Sequence, residues 1–268
     1  MIIDFHTHIF PDHIAPRTLE VLSAAGGIPA FTDGTAAGLS ASMAEAGIDL
    51  CVNLPVMTSP LQVHKVNESL YRNRESLLDM GILSFAGIHP DLEEYEEELR
   101  LRKAQGFSGI KLHPAYQRRD LDDPAFLRVI DCACSLGLVV LTHAGADIGI
   151  PGHNYASVGM ILNVIDKVHP EKLVLAHMGG WDAWEEVSLY LAGAPVYLDC
   201  AFSIGEYGMS PDEFFRLCVK HGTDRILFAT DSPWTGQSSY VAAIRNLPFS
   251  GQEKDGIFGQ NASKLLSL

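Results

Sequence analysis

The sequence predicts an α/β protein organised as a (β/α)8 TIM barrel. Short apolar runs alternate with amphipathic stretches from one end of the chain to the other, and the runs can be counted as eight. The length of 268 residues suits such a barrel, which typically takes ~250. The strand candidates are residues 2–5, 50–54, 83–88, 109–112, 138–142, 173–176, 196–200 and 226–229. They are nearly continuous in Val, Ile, Leu and Phe, as strands covered on both faces should be. The helical candidates are 39–46, 66–80, 93–105, 124–136, 158–168, 181–191 and 211–221, followed by 239–246 and 250–268. Gly47, Gly81, Gly106, Gly137 and Gly222 fall where helices stop, and Pro124 falls in a first turn. Repeated β-α order implies a parallel sheet, which eight units close most simply into a barrel. An open doubly wound sheet is the alternative, weakened because no Gly-rich phosphate fingerprint follows the first strand. No linker or compositional break divides residues 1–268, which read as one domain. The irregular region 9–35, with a helical fragment at 17–25, reads as an insertion after the first strand forming a lid or rim over the active face.

Composition narrows the function. Hydrophobic residues make up 47% and charged residues 19%, enough for a sizeable core. The formal net charge of −14 argues against nucleic-acid and anionic-membrane partners. It leaves an anionic small-molecule substrate open, since a metal dominates the field of its own pocket. The five cysteines (Cys51, Cys132, Cys134, Cys200, Cys218) are odd in number, and Cys132 and Cys134 do not share a helix face. They read as reduced thiols rather than a zinc knuckle. With no signal peptide and no apolar run near the ~20 residues of a membrane span, the expected location is cytoplasmic.

The chemistry concentrates at strand ends. Asp4-Phe5-His6-Thr7-His8 places two imidazoles two residues apart, on one face of a strand, so that both can reach one metal. His89, Lys111 with His113, His143, His177 and Asp231 follow later strands, each at the C-terminal end where barrel active sites assemble. Polar groups in such apolar surroundings are costly unless paired, and their convergence on one mouth points to a shared cation. Trp181, Trp234 and Tyr155 are candidate pocket walls or substrate contacts, with Trp184 assigned to packing. Arg118 and Arg119 could clamp a carboxylate but read better as a solvated loop pair. Asp199 and Cys200 face opposite ways, so at most one of them points inward.

With Thr142-His143-Ala144-Gly145, Ala176-His177-Met178-Gly179-Gly180 and Ala229-Thr230-Asp231-Ser232-Pro233, the whole chain resembles the amidohydrolase superfamily. More narrowly it resembles the branch of aminocarboxymuconate-semialdehyde decarboxylase and related hydrolases and decarboxylases, down to the ending Asn261-Ala262-Ser263-Lys264-Leu265-Leu266. The resemblance implies metal ligation by His6, His8, His143 and Asp231. It implies that His177 handles a water proton or binds a second metal, and that Lys111 can serve as a carboxylated bridge. One divalent ion, zinc by default, is the first expectation, and a two-metal site the second. Such an ion with an open position lowers the pKa of its water toward ~7 and polarises a carbonyl. The expected activity is hydrolysis of a small amide, ester or lactone, with His177 and Asp231 managing protons and His113 contacting substrate. The alternative is non-oxidative decarboxylation of a small unsaturated or aromatic acid. Barrels of this branch are often dimeric, which makes a homodimer an expectation by resemblance.

Overall fold

A computed structural model describes all residues, 1–268. Its eight parallel strands are β1 (Ile3–Thr7), β2 (Leu50–Asn53), β3 (Ile82–Ser84, resuming as Ala86–Gly87), β4 (Gly109–Leu112), β5 (Val139–Thr142), β6 (Leu173–Leu175), β7 (Tyr197–Asp199) and β8 (Ile226–Leu227). Each pairs in parallel with the next in sequence. Phe5 N–H donates to the carbonyl of Phe228 (2.9 Å), Asp231 N–H to that of His6 (2.8 Å) and His8 N–H to that of Ser232 (2.7 Å), so β8 and its extension close the ring onto β1.

Two apolar layers hold the ring. Inside it, Ile3, Phe5, Val52, Leu54, Phe85, Val139, Leu141, Val174 and Leu227 are fully or almost fully buried. The C-terminal helix (Asn261–Leu266) closes this interior with Ala262, Leu265 and Leu266. Outside the ring, the alternate strand residues, such as Ile110, Leu112, Val140, Leu175 and Leu198, pack against the helices. Burying a branched side chain contributes roughly 1.5–3 kcal/mol, which is why so regular an alternation fixes strand register.

The helices are α1 (Ala15–Gly26), α2 (Ala36–Ala46), α3 (Val63–Arg72), α4 (Arg74–Asp79), α5 (Tyr95–Ala104), α6 (Pro114–Gln117), α7 (Pro124–Ser135), α8 (Val158–Val168), α9 (Trp184–Glu186, continuing through Val187–Leu191), α10 (Pro211–His221), α11 (Gln237–Asn246), α12 (Gly251–Asp255) and α13 (Asn261–Leu266). Three differences from the sequence reading have local causes. The single helix expected over 66–80 is two, broken at Asn73, which leaves the helical region at φ −97°, ψ 5°. The helix expected to begin at Trp181 begins at Trp184, because Trp181 is drawn into a bridge with Gly145. The last helical stretch carries a π-turn, Gly256–Gln260, between α12 and α13. Gly259 there packs where a Cβ would stand 2.4 Å from the carbonyl oxygen of Met1. No helix is long and apolar enough to cross a membrane.

Candidate metal centre

Strand parity explains which site residues the barrel brings inward. On β4, Ile110 and Leu112 face the helices, which turns Lys111 and then His113 to the axis. On β5 the inward set Val139 and Leu141 continues to His143, and on β8 Leu227 and Ala229 continue to Asp231. β1 breaks the pattern. Ile3 and Phe5 point inward, yet His6 and His8 do too, and the phase slips at a register shift between Asp4 and Thr7. His177 likewise follows the inward Ala176 directly, and its backbone turns through the left-handed region at φ 57°. Asp231 lies there as well, at φ 67°. Non-glycine residues held in this region cluster where function requires a fixed side chain.

The hydrogen bonds then fix which nitrogen of each imidazole is free. His8 Nδ1 lies 2.8 Å from the carbonyl of Leu54, His177 Nδ1 2.9 Å from that of Ala201, and His143 Nε2 3.0 Å from that of Ala146. A carbonyl only accepts, so each of these nitrogens carries the hydrogen. His6 Nδ1 lies 2.8 Å from Asp199 Oδ2, and Asp199 Oδ1 already accepts from the N–H of His177 and Ala201. Four buried or nearly buried imidazoles therefore aim lone pairs at the barrel axis. Those of His6 and His8 stand 3.2 Å apart, and those of His143 and His177 3.1 Å apart. Asp231 Oδ1 lies 3.2 Å from His8 Nε2 and 3.4 Å from His6 Nε2. Only the Lys111 ammonium, 3.1 Å from His6 Nε2, supplies a donor among these acceptors.

Acceptors facing acceptors repel unless a cation joins them. Two donor atoms each ~2.1 Å from one ion stand ~3.0–3.4 Å apart, the separations found among His6, His8 and Asp231. Pinning the outer nitrogen of each ligand to an oxygen is how proteins orient imidazoles for metals. The donor set fits a divalent ion. His6, His8 and Asp231 form one compact group. His143 and His177 meet as a neighbouring pair, with Lys111 beside His6.

Electrostatics agree with neutral imidazoles. Burial, then the neighbouring histidine or lysine, pushes His177 down to about 3 and His143 to about 4, and holds His6 well below its ordinary value. Burial also pushes Lys111 down, opposed by Asp199, Asp231 and Asp147, and pushes Asp199 up. For Asp231 burial acts upward, but the neighbouring His8, His177 and Lys111 outweigh it and hold the carboxyl below its usual range.

Above these groups opens a cavity of about 430 Å³. The 9–35 segment contributes Phe10, Ile14, Leu22 and Ile28 to its lining. His113, Trp181 and Trp234 line it. Tyr155 does not: its ring packs on His153 and its carbonyl accepts from Leu121 N–H, which corrects the substrate contact assigned to it. Arg119 is turned away to Asp91 (2.5 Å) and Asp123 (3.2 Å). Trp184 donates from Nε1 to the carbonyl of His177 and so braces that residue, a role beyond packing. Asp147, Tyr116 and Phe202 line the cavity and escaped the sequence reading. Asp199 was legible only as one of two candidates, and its partner Cys200 packs in the outer layer. For Asp147 no strand pattern was available, because it stands on the loop after β5.

This is the architecture of a barrel enzyme with a donor-lined floor at the C-terminal strand ends that could hold a cation. The profile of the Amidohydrolase family matches residues 3–268, and the chain belongs to that family. A search among curated proteins finds no match. Among solved structures, the fold is similar to that of a dihydroxybenzoic acid decarboxylase from Polaromonas with bound manganese and 2-nitroresorcinol (TM-score 0.74, 16% identity, covering 100% of this chain and 97% of that one). It is similar to 2,6-dihydroxybenzoate decarboxylase from Rhizobium (TM-score 0.72, 14% identity, 99% and 98% covered). It is also similar to 5-carboxyvanillate decarboxylase from Sphingomonas paucimobilis (TM-score 0.69, 14% identity, 100% and 99% covered).

Proposed function

We propose that the protein is a metal-dependent, non-oxidative decarboxylase of a small unsaturated or aromatic acid. The observation that carries this reading is the division of the cavity. Its imidazoles, Lys111 and Asp231 gather on the floor, while Phe10, Trp181, Phe202, Trp234 and Tyr116 supply flat wall surfaces against which a ring can lie. The decarboxylase activities of proteins that share the fold support the same choice. This reading departs from the hydrolysis expected first from sequence and adopts its alternative.

His6, His8, His143 and Asp231 would hold the ion. Its nitrogen and oxygen donors suit manganese as well as zinc. When bound, the ion supplies positive charge that fixes the substrate oxygens and stabilises charge developing as the carboxylate leaves. The residues do the rest. Lys111 offers its ammonium to the carboxylate, and the apolar walls exclude water and favour an uncharged product. One C–C bond breaks, carbon dioxide departs, and a proton fills the vacated carbon. Asp231, which keeps a second carboxylate oxygen, takes up a proton from solvent water and passes it to that carbon, and neutral His177 orients the exchange.

A second reading is favoured by Lys111 itself. An ammonium 3.1 Å from a ligand nitrogen sits badly beside a cation, whereas a carboxylated Lys111 would bridge two ions, one of them at the His143–His177 pair, and suit hydrolysis. Product analysis with a panel of aromatic acids, amides and lactones separates the two. Release of carbon dioxide from an acid supports the decarboxylase. Water incorporation at a carbonyl carbon, with no carbon dioxide from any acid, rejects it.

A further inference from the structure

We propose that the cavity selects acids carrying a single carboxylate and a hydroxyl group, and that Asp147 is the residue that reads the hydroxyl and rejects a second carboxylate. The inference rests on the acid-binding reading above.

Apart from the ion that its floor would hold, the cavity has one cationic side chain. Of all its lining residues only Lys111 is a lysine or arginine, and that side chain is buried in the floor among the acceptors. A substrate's first carboxylate is therefore served on the floor by the ion and Lys111 together, and a second, directed at the wall, meets no lysine or arginine. Asp147 also lines the cavity, with its side chain 9% exposed. Its Oδ1 is fixed by the N–H of Gly149 at 2.9 Å. Its Oδ2 faces His113 Nε2 at 3.5 Å and His143 Nε2 at 4.0 Å, too far for a proper hydrogen bond to either. Asp147 makes no ion pair with a lysine or arginine.

This trio does not make another cation site. His143 Nε2 carries the hydrogen that Ala146 accepts, so it has no lone pair to give. His113 Nδ1 is buried without a partner, which costs least when that nitrogen is the bare one. Its hydrogen then sits on Nε2, toward Asp147. What remains is a carboxylate oxygen held rigidly at the cavity wall with spare accepting capacity. A hydroxyl satisfies it. A carboxylate placed there meets like charge away from bulk water, which is a strong means of rejection.

The test uses the whole protein loaded with manganese and titrated by calorimetry at about pH 8, where free carboxylates are ionised. The ligands are benzoate, 3-hydroxybenzoate and benzene-1,3-dicarboxylate. The expected order is 3-hydroxybenzoate about tenfold tighter than benzoate, and the dicarboxylate about 100-fold weaker than 3-hydroxybenzoate. In Asp147→Asn the ratio of dicarboxylate to benzoate affinity rises about tenfold. A dicarboxylate that binds wild-type protein as well as benzoate does, or a ratio untouched in Asp147→Asn, overturns the assignment. The wild-type series decides the matter even if the variant fails to fold. If none of the three acids binds, the acid-binding reading itself falls, and this inference with it.

Discussion

Asp199 settles which nitrogen of His6 carries a hydrogen, and with it whether His6 can ligate. In Asp199→Asn the amide oxygen can still accept from His177 and Ala201, which turns the amide NH2 toward His6 Nδ1. The imidazole then moves its hydrogen to Nε2 and loses the lone pair it aimed at the axis. Metal affinity should fall about 10–100-fold with the fold intact, as measured by competition with a chromophoric chelator. An unchanged affinity would show that the tautomer is not set there. His177 makes a separate, pH-dependent contribution. Its pKa is depressed to about 3 by burial, below the ordinary 6.5, so the unfolded chain binds a proton that the folded chain refuses. Stability from this group is complete above 6.5 and lost as pH falls toward the folded value. In metal-free protein, unfolding free energy between about pH 5.5 and 4.5 should fall about 1.4 kcal/mol per pH unit more steeply in wild type than in His177→Gln. Urea unfolding curves at several pH values check this, and parallel slopes would count against a neutral buried imidazole.

Between the elements, the sharpest test lies at α3 and α5, away from the site. Arg102 is fully buried and donates to Glu98 (2.8 Å), which also accepts from Asn67 (2.8 Å). Burial pushes Glu98 up, but the Arg102 and Asn67 bonds outweigh it and hold the carboxyl below its usual range. Arg102→Ala strands that charge, so a loss of about 3–5 kcal/mol is expected in chemical denaturation. A loss below about 1 kcal/mol would mean that the pair is solvated in practice. The same scale shows how much the sequence revealed. Strand order and strand number were legible because alternation of apolar runs and helices survives in one dimension. Lys111, His113, His143 and Asp231 were legible because they extend an inward parity already set by their strands. The inward turn of His6 was not readable from parity, since a register shift after Asp4 leaves no compositional trace. Asp147 and the placement of Tyr155 depended on loop paths, where neither periodicity nor residue type says which side faces the cavity.

For the molecule as a whole, the barrel is a device for bringing residues from both ends of the chain to one rim. His6 and Asp231 belong to the first and last strands, and the bonds that close β8 onto β1 are the ones that seat them together. Closing the ring also assembles the proposed cation site, so metal loading should raise resistance to unfolding. The most direct measurement is the metal-to-chain ratio of purified protein after loading with manganese or zinc and removal of free ion. One tightly held ion per chain, lost in His8→Ala, is the expected result. A wild-type protein that retains no ion under these conditions would contradict the metal centre and the chemistry built on it.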